Sequence, residues 1–142
     1  HERWGGLLLW AHCAIHAAPL SPANFIDARD WEKSVKINIT TTGMLIPNVA
    51  PLLGHAGIAV FLNDPCAGLK FFGSYGATKS AQIALAQSWQ AETINTGPRV
   101  CIVTPAPVPT ATRARFFPGE DSDALSTCDI EADKIIATLG II

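Results

Sequence analysis

The sequence predicts an α/β chain built on a parallel sheet, and three observations carry that prediction. Short apolar runs alternate with long helical patterns, in the order strand, helix, strand, helix, strand, helix. The apolar runs are continuous rather than alternating, which fits strands covered on both faces. Strands that alternate with long helices imply right-handed crossovers and therefore parallel neighbours.

The elements follow in order. Residues 6–13 form a first apolar run after a Gly-Gly break, read as a strand. Residues 14–22 are small and Pro-punctuated, hence a loop. Residues 27–53 carry a helical pattern, with Asp27 or Asp30 as cap and with Pro47 and Pro51 expected to kink or fray its end. A turn at residues 54–57 leads to a second buried-type strand, residues 58–62. A loop over 63–73 precedes a long helix, residues 74–96, stopped by Asn95-Thr96-Gly97-Pro98. Residues 99–104 are a third strand. A Pro-rich loop, a polar basic stretch and a final amphipathic helix over 130–139 complete the chain.

Composition excludes several classes. A length of 142 residues suits one domain. The abrupt start at His1 is read as that of an incompletely represented chain. With 49% hydrophobic and 15% charged residues, a core buried on several sides is expected, with some surface left for a partner. The net charge of −2 supplies no field for nucleic acid. The apolar runs fall short of the roughly 20 residues that span a bilayer. Cys13, Cys66, Cys101 and Cys128 show no metal or disulfide spacing, so reduced thiols and a cytoplasmic setting are expected.

The strongest chemical signal is Tyr75-Gly76-Ala77-Thr78-Lys79. Tyr75 and Lys79 stand four apart at a predicted helix start, so both side chains lie on one face. A phenol titrates near ~10, too high for acid–base work near neutrality. A nearby ammonium favours the phenolate and lowers that value. The pair therefore suits general acid–base catalysis between a carbonyl and an alcohol. A surface Lys beside a half-buried Tyr is the bland alternative.

On this motif and its flanks, from about Gly5 onward, the chain resembles the short-chain dehydrogenase/reductase family from about its fourth strand. The resemblance implies a Rossmann-like doubly wound parallel sheet. Residues 1–142 would be a single domain of that type, incomplete at its N-terminus. Residues 31–40 resemble the family's helix with its Asn, which in relatives sits at a helix distortion and holds a water of the proton relay. Asn38 is the matching position, with an ordinary polar helix residue as the other reading. Residues 103–110 resemble the strand-end segment over the nicotinamide. Cofactor contacts by Pro105 and Thr110 are thus implied, beside Tyr75, Lys79 and Ala14, with a helix N-cap as the other role for Thr110. Residues 111–123 resemble the substrate-loop region of one bacterial subgroup.

Three departures stand beside the resemblance. No G-x-G occurs, so the family's pyrophosphate turn is absent. The family's Ser before the Tyr helix has no evident counterpart in Leu62-Asn63-Asp64-Pro65-Cys66. Asn63 could donate a hydrogen bond in its place, whereas Asp64 would repel a developing oxyanion. The family's Asn-Asn-Ala-Gly stands here as His12-Cys13-Ala14-Ile15. His12 and His16 are four apart but lie on a strand end and loop, so no metal is expected.

The implied function is an NAD(P)-dependent oxidoreductase. Hydride would pass between NAD or NADP and a small carbonyl or alcohol substrate, with Tyr75, Lys79 and Asn38 as proton relay and Asn63 or a water replacing Ser. The alternative is a non-catalytic scaffold or accessory subunit with a protein partner. The resemblance further implies a homodimer or tetramer through the helices near 30–51 and 74–95, with Ala77, Ala81, Ala84 and Ala86 permitting close approach.

Overall fold

The computed structural model describes residues 5–141. The chain divides between Val103 and Thr104 into two compact units.

The first unit is a three-stranded parallel sheet in the order β1-β2-β3, with β1 Leu9–His12, β2 Ile58–Leu62 and β3 Arg99–Val103. Leu9 pairs with Ile58 and His12 with Phe61, and Ile58 pairs with Arg99. A continuous helical stretch crosses from β1 to β2. It comprises α1 Ala28–Ser34, a π-helical segment Val35–Thr41 and α2 Thr42–Leu53. The single helix α3, Gly73–Glu92, crosses from β2 to β3. This is the Rossmann-like parallel sheet that the sequence predicts.

Strand alternation decides what the core contains. Ala59, Phe61 and Val100 point to one face and pack with Leu53 of α2 and Ile83, Ala86 and Trp89 of α3. Trp10, Ile46, Val49 and Ala50 close the edge of that cluster. Phe61 is fully buried and meets Trp10 and Trp89 edge-on, with ring centroids 5.5 and 6.3 Å away. Such edge contacts add about 0.5–1.5 kcal/mol beyond the area they bury.

The structure corrects two expectations and bears out a third. The first strand is shorter than residues 6–13, and only one face of it is covered: Trp10 and His12 turn inward while Leu9 and Ala11 stay exposed. The helix carrying Pro47 and Pro51 ends at Leu53, the bound that the sequence predicts. Both prolines are exposed, and the packing of Ile46, Val49 and Leu53 holds the opposite side. Ala86 belongs to the core rather than to an outward small-residue face, where Ala77 and Ala84 remain exposed.

The second unit contains α4, Ala111–Phe116, and α5, Cys128–Leu139. The basic stretch at 111–116 is thus a short helix, which the sequence reading did not include. Thr110 is its N-cap and accepts from the Arg113 amide at 3.2 Å. Arg113 forks onto Glu120, at 2.5 and 2.6 Å, and lies over the Phe117 ring. Thr127 caps α5, and Gly140 ends it at φ 62°, a conformation that favours glycine.

Glu131, in the first turn of α5, holds this unit's loop in place. It accepts from the Ala106 amide at 2.9 Å, the Ser126 hydroxyl at 2.8 Å and the Lys134 ammonium at 2.7 Å. The Lys134 bond first, then the Ala106 amide and the Ser126 hydroxyl, hold its carboxyl down to about 2. A free Glu titrates near ~4.3, so on acidification the unfolded chain takes up the proton first. The contribution of Glu131 is complete above about pH 4.3 and is lost as pH falls towards about 2. Acid titration followed by amide exchange should show residues 104–141 opening in that window, and Glu131→Gln should remove the step.

Candidate active site

The site grows from the start of α3. Tyr75 and Lys79 lie one turn apart there, and both are buried. Burying a phenol and an ammonium requires polar partners, and the structure supplies different ones to each.

The Tyr75 hydroxyl donates to Asp64 Oδ2 at 2.8 Å. The Cys66 thiol donates to the other oxygen, Asp64 Oδ1, at 2.7 Å. Asp64 is half-buried in the loop after β2. The loop comes this close to α3 because residue 76 is glycine. A Cβ there would stand 2.9 Å from the Cys66 carbonyl oxygen and 3.2 Å from Ala67 Cα.

The Lys79 ammonium donates to Gln82 Oε1 at 2.7 Å. Gln82 is itself almost completely buried. Its amide nitrogen lies 3.1 Å from His12 Nε2 and 3.2 Å from Thr42 Oγ1. His12 Nε2 is 2.9 Å from the same Thr42 hydroxyl, which donates onward to the Asn38 carbonyl at 2.9 Å. A buried polar chain thus runs Lys79–Gln82–Thr42–Asn38, with His12 against its middle.

Asn38 is fully buried in the π-helical segment. That segment is rich in β-branched residues, which crowd an ordinary helical turn. The Thr41 hydroxyl donates to the Lys36 carbonyl, five residues back, across the widened turn. The Asn38 side chain accepts from the His16 amide at 2.7 Å and donates to the His16 carbonyl at 3.0 Å and the Thr78 hydroxyl at 2.9 Å. It therefore pins the loop after β1 to the first turns of α3.

Electrostatics depart from the sequence expectation. The Tyr75 phenol is pushed up from its ordinary range, not down, by burial first and then by the bond to the Asp64 carboxylate. Burial lowers Lys79, while Asp64 and Cys13 oppose that shift. His12 is lowered by burial and then by the Lys79 charge, so it sits neutral in the chain of hydrogen bonds. The His16 imidazole Nε2 is buried without a hydrogen-bond partner among the described residues, and Asp30 Oδ1 lies 3.8 Å away.

The predicted residues are only partly brought together. Tyr75, Lys79 and Asn38 share one neighbourhood of the first unit. Asn63, nominated for the missing Ser, uses its backbone amide on the Val103 carbonyl at 2.7 Å, and the phenol is met by Asp64 instead. Ala14 is exposed, and its carbonyl takes the Gln82 amide at 3.4 Å. Pro105 and Thr110 belong to the second unit, where Thr110 caps α4. Gln82 and Thr42 escaped the sequence reading. Gln82 was detectable, since it lies seven residues from Tyr75 on the same helix face.

A parallel sheet with a buried Tyr-x-x-x-Lys at the start of a crossover helix is the arrangement expected of the short-chain dehydrogenase family. The chain belongs to the short-chain dehydrogenase family, whose model matches residues 2–121. It is 30% identical over 131 residues to YciK, an uncharacterized oxidoreductase of Escherichia coli strain K12, covering 89% of this chain and 50% of YciK. A short-chain dehydrogenase of Salmonella enterica serovar Typhi matches at TM-score 0.85 and 28% identity, over 97% of this chain and 57% of that one. One from Escherichia coli, solved with NADPH, matches at TM-score 0.84 and 29% identity, over 97% of this chain and 57% of that one. The chain therefore spans about half the length of the relatives it matches. Among the described residues, no helix is long and apolar enough to cross a membrane.

Tyr75 is the sole tyrosine of the 142 residues, so its ionisation can be followed by phenolate absorbance, with Tyr75→Phe as the blank. The phenol should stay un-ionised well past its ordinary ~10, and Asp64→Asn should bring it back towards that value. An identical titration in the Asn variant would mean that Asp64 is not what holds the proton.

Proposed function

We propose that the full-length protein is a nicotinamide-dependent oxidoreductase whose site is centred on Tyr75 and Lys79. The observation that carries this reading is the buried Lys79 ammonium. It has three donors and, among the described residues, one hydrogen bond, to Gln82. Two buried N–H groups beside Tyr75 fit a hydroxyl-rich ligand such as the ribose next to a nicotinamide. Relatives solved with NADPH and with NADP support the choice of cofactor class. When bound, such a cofactor supplies or accepts a hydride at a carbon bearing a heteroatom, in the family a carbonyl or alcohol carbon. The cofactor is NAD or NADP; in such folds an acidic or basic residue at the adenosine ribose makes that choice.

Within this reading, Tyr75 faces the reacting heteroatom through Asp64, and Lys79 holds the ribose. The hydrogen bonds from Lys79 to Gln82, from Gln82 to Thr42 and from Thr42 to the Asn38 carbonyl orient the ammonium. The Asn38 side chain is a positioning group, because its amide is spent on His16 and Thr78. Pro105, Thr110 and Ala14 stay proposed cofactor contacts, and Asn63 a proposed donor at the substrate. Residues 1–142 are proposed as part of one such domain, working in the cytoplasm.

A non-catalytic accessory subunit is the second reading. What favours it is the upward shift of the phenol, which opposes proton transfer near neutrality. Titration of the full-length protein with NADH and NADPH by fluorescence separates the two. Binding of either, with turnover abolished in Tyr75→Phe, is the expected result; no binding of either sinks the oxidoreductase reading.

We also propose self-association through the helices near 30–51 and 74–95. Ala77, Ala84, Trp31 and Met44 are exposed there. Light scattering at micromolar concentration should give a dimer or tetramer mass, and a monomer mass ends this proposal.

A further inference from the structure

A hydride acceptor of the carbonyl type needs hydrogen-bond donors aimed at its oxygen, because negative charge develops there. The site offers the opposite. Asp64 is an acceptor through both oxygens when ionised. The Tyr75 hydroxyl proton points at Asp64 Oδ2 across 2.8 Å, and the Cys66 thiol proton points at Oδ1 across 2.7 Å. The Lys79 ammonium donates to Gln82 and feels the Asp64 charge, but it forms no ion pair with Asp64 among the described residues. The cluster therefore holds a partly exposed carboxylate, fixed in place by two donors.

We propose that Asp64 makes this a site for nitrogen substrates: a protonated imine on the oxidised side and its amine on the reduced side. The proposal rests on the oxidoreductase reading above and names its substrate class. A protonated imine carries both an N–H donor and a positive charge, and an ionised carboxylate complements both. An alcohol could also donate to Asp64, but the ketone at the other end of that reaction offers only an acceptor. The imine–amine pair presents an N–H to Asp64 at both ends.

The step balances without a proton from Tyr75. Hydride adds to the iminium carbon, and the C=N π pair moves onto nitrogen. The iminium charge is cancelled, the nicotinamide is oxidised, and the original N–H proton stays on nitrogen against Asp64. Tyr75, its own proton held by Asp64, keeps the carboxylate oriented. In the reverse direction the neutral amine gives up hydride and the iminium charge forms beside Asp64. The approach of the loop allowed by Gly76 is what places the carboxylate within reach of Tyr75.

The test uses the full-length protein and matched five-membered rings. With NADPH, pyrroline should be reduced faster than cyclopentanone by about tenfold or more, and Asp64→Ser, which restores a hydroxyl donor, should shift that ratio towards the ketone by a similar factor. Asp64→Asn, closer in shape, serves as the second variant, and retained NADPH binding checks the fold of both. A binding arm needs no turnover. With NADP in place, pyrrolidinium should bind about tenfold tighter than cyclopentanol, by ligand line broadening, and both variants should erase the difference. Equal binding of the two rings overturns the inference even if ketones are reduced. Ketone turnover without amine selectivity overturns the inference alone, whereas turnover of neither ring removes the oxidoreductase reading and the inference with it.

Discussion

The arrangement of the site depends on one buried amide. Asn38 has no solvent exposure, and its side chain exchanges two hydrogen bonds with the backbone of His16 while a third reaches Thr78. Three segments distant in sequence therefore meet at one side chain: the loop after β1, the widened turn of the first crossover and the opening of α3. Losing such a side chain leaves buried groups unpaired, at about 1–3 kcal/mol each. Apolar packing could not replace it, because the groups it joins are backbone polar atoms and a hydroxyl, which need directed partners.

Around that amide the interior is unusually polar for a half-sheet. Gln82, Thr42, Thr78 and His12 are all buried, and each finds a partner within the same neighbourhood. In a low-dielectric setting such chains stiffen the side chains that compose them. The stiffness serves position: Lys79 is fixed by Gln82, and Tyr75 by Asp64. The two residues of the motif are thus held separately, one by the network beneath the sheet end and one by the loop above it.

Much of the fold was legible. Strand β2 follows from an apolar run that is continuous because it lies between two strands and is buried, and β3 from a similar run beside it. β1 was read too long, since an apolar composition marks burial potential and not the extent of pairing. The helix at 111–116 was missed because six residues with two arginines carry no apolar stripe. At the site, Tyr75, Lys79 and Asn38 were found from spacing and resemblance. The sign of the phenol shift was not, because burial, its first cause, and the Asp64 bond that follows are both set by tertiary packing. Asp64 and Asn63 are neighbours in sequence, and only the folded path of their loop shows that Asp64 meets the phenol.

The π-helical segment also bears on how the crossover reads as a sequence. One residue more than a regular turn requires has been taken up between α1 and α2, and a residue of α-helix corresponds to about 100° of rotation. The stripe of Ile46, Val49 and Leu53 that meets the sheet is therefore out of phase with the face of α1 that precedes it. Deleting one residue between Val35 and Thr41 would return the stretch to a plain helix with that stripe still on Phe61, but it would turn the side chains of the segment, Asn38 among them, away from their partners. In this part of the chain the number of residues is a stricter constraint than their identity, with Asn38 as the exception.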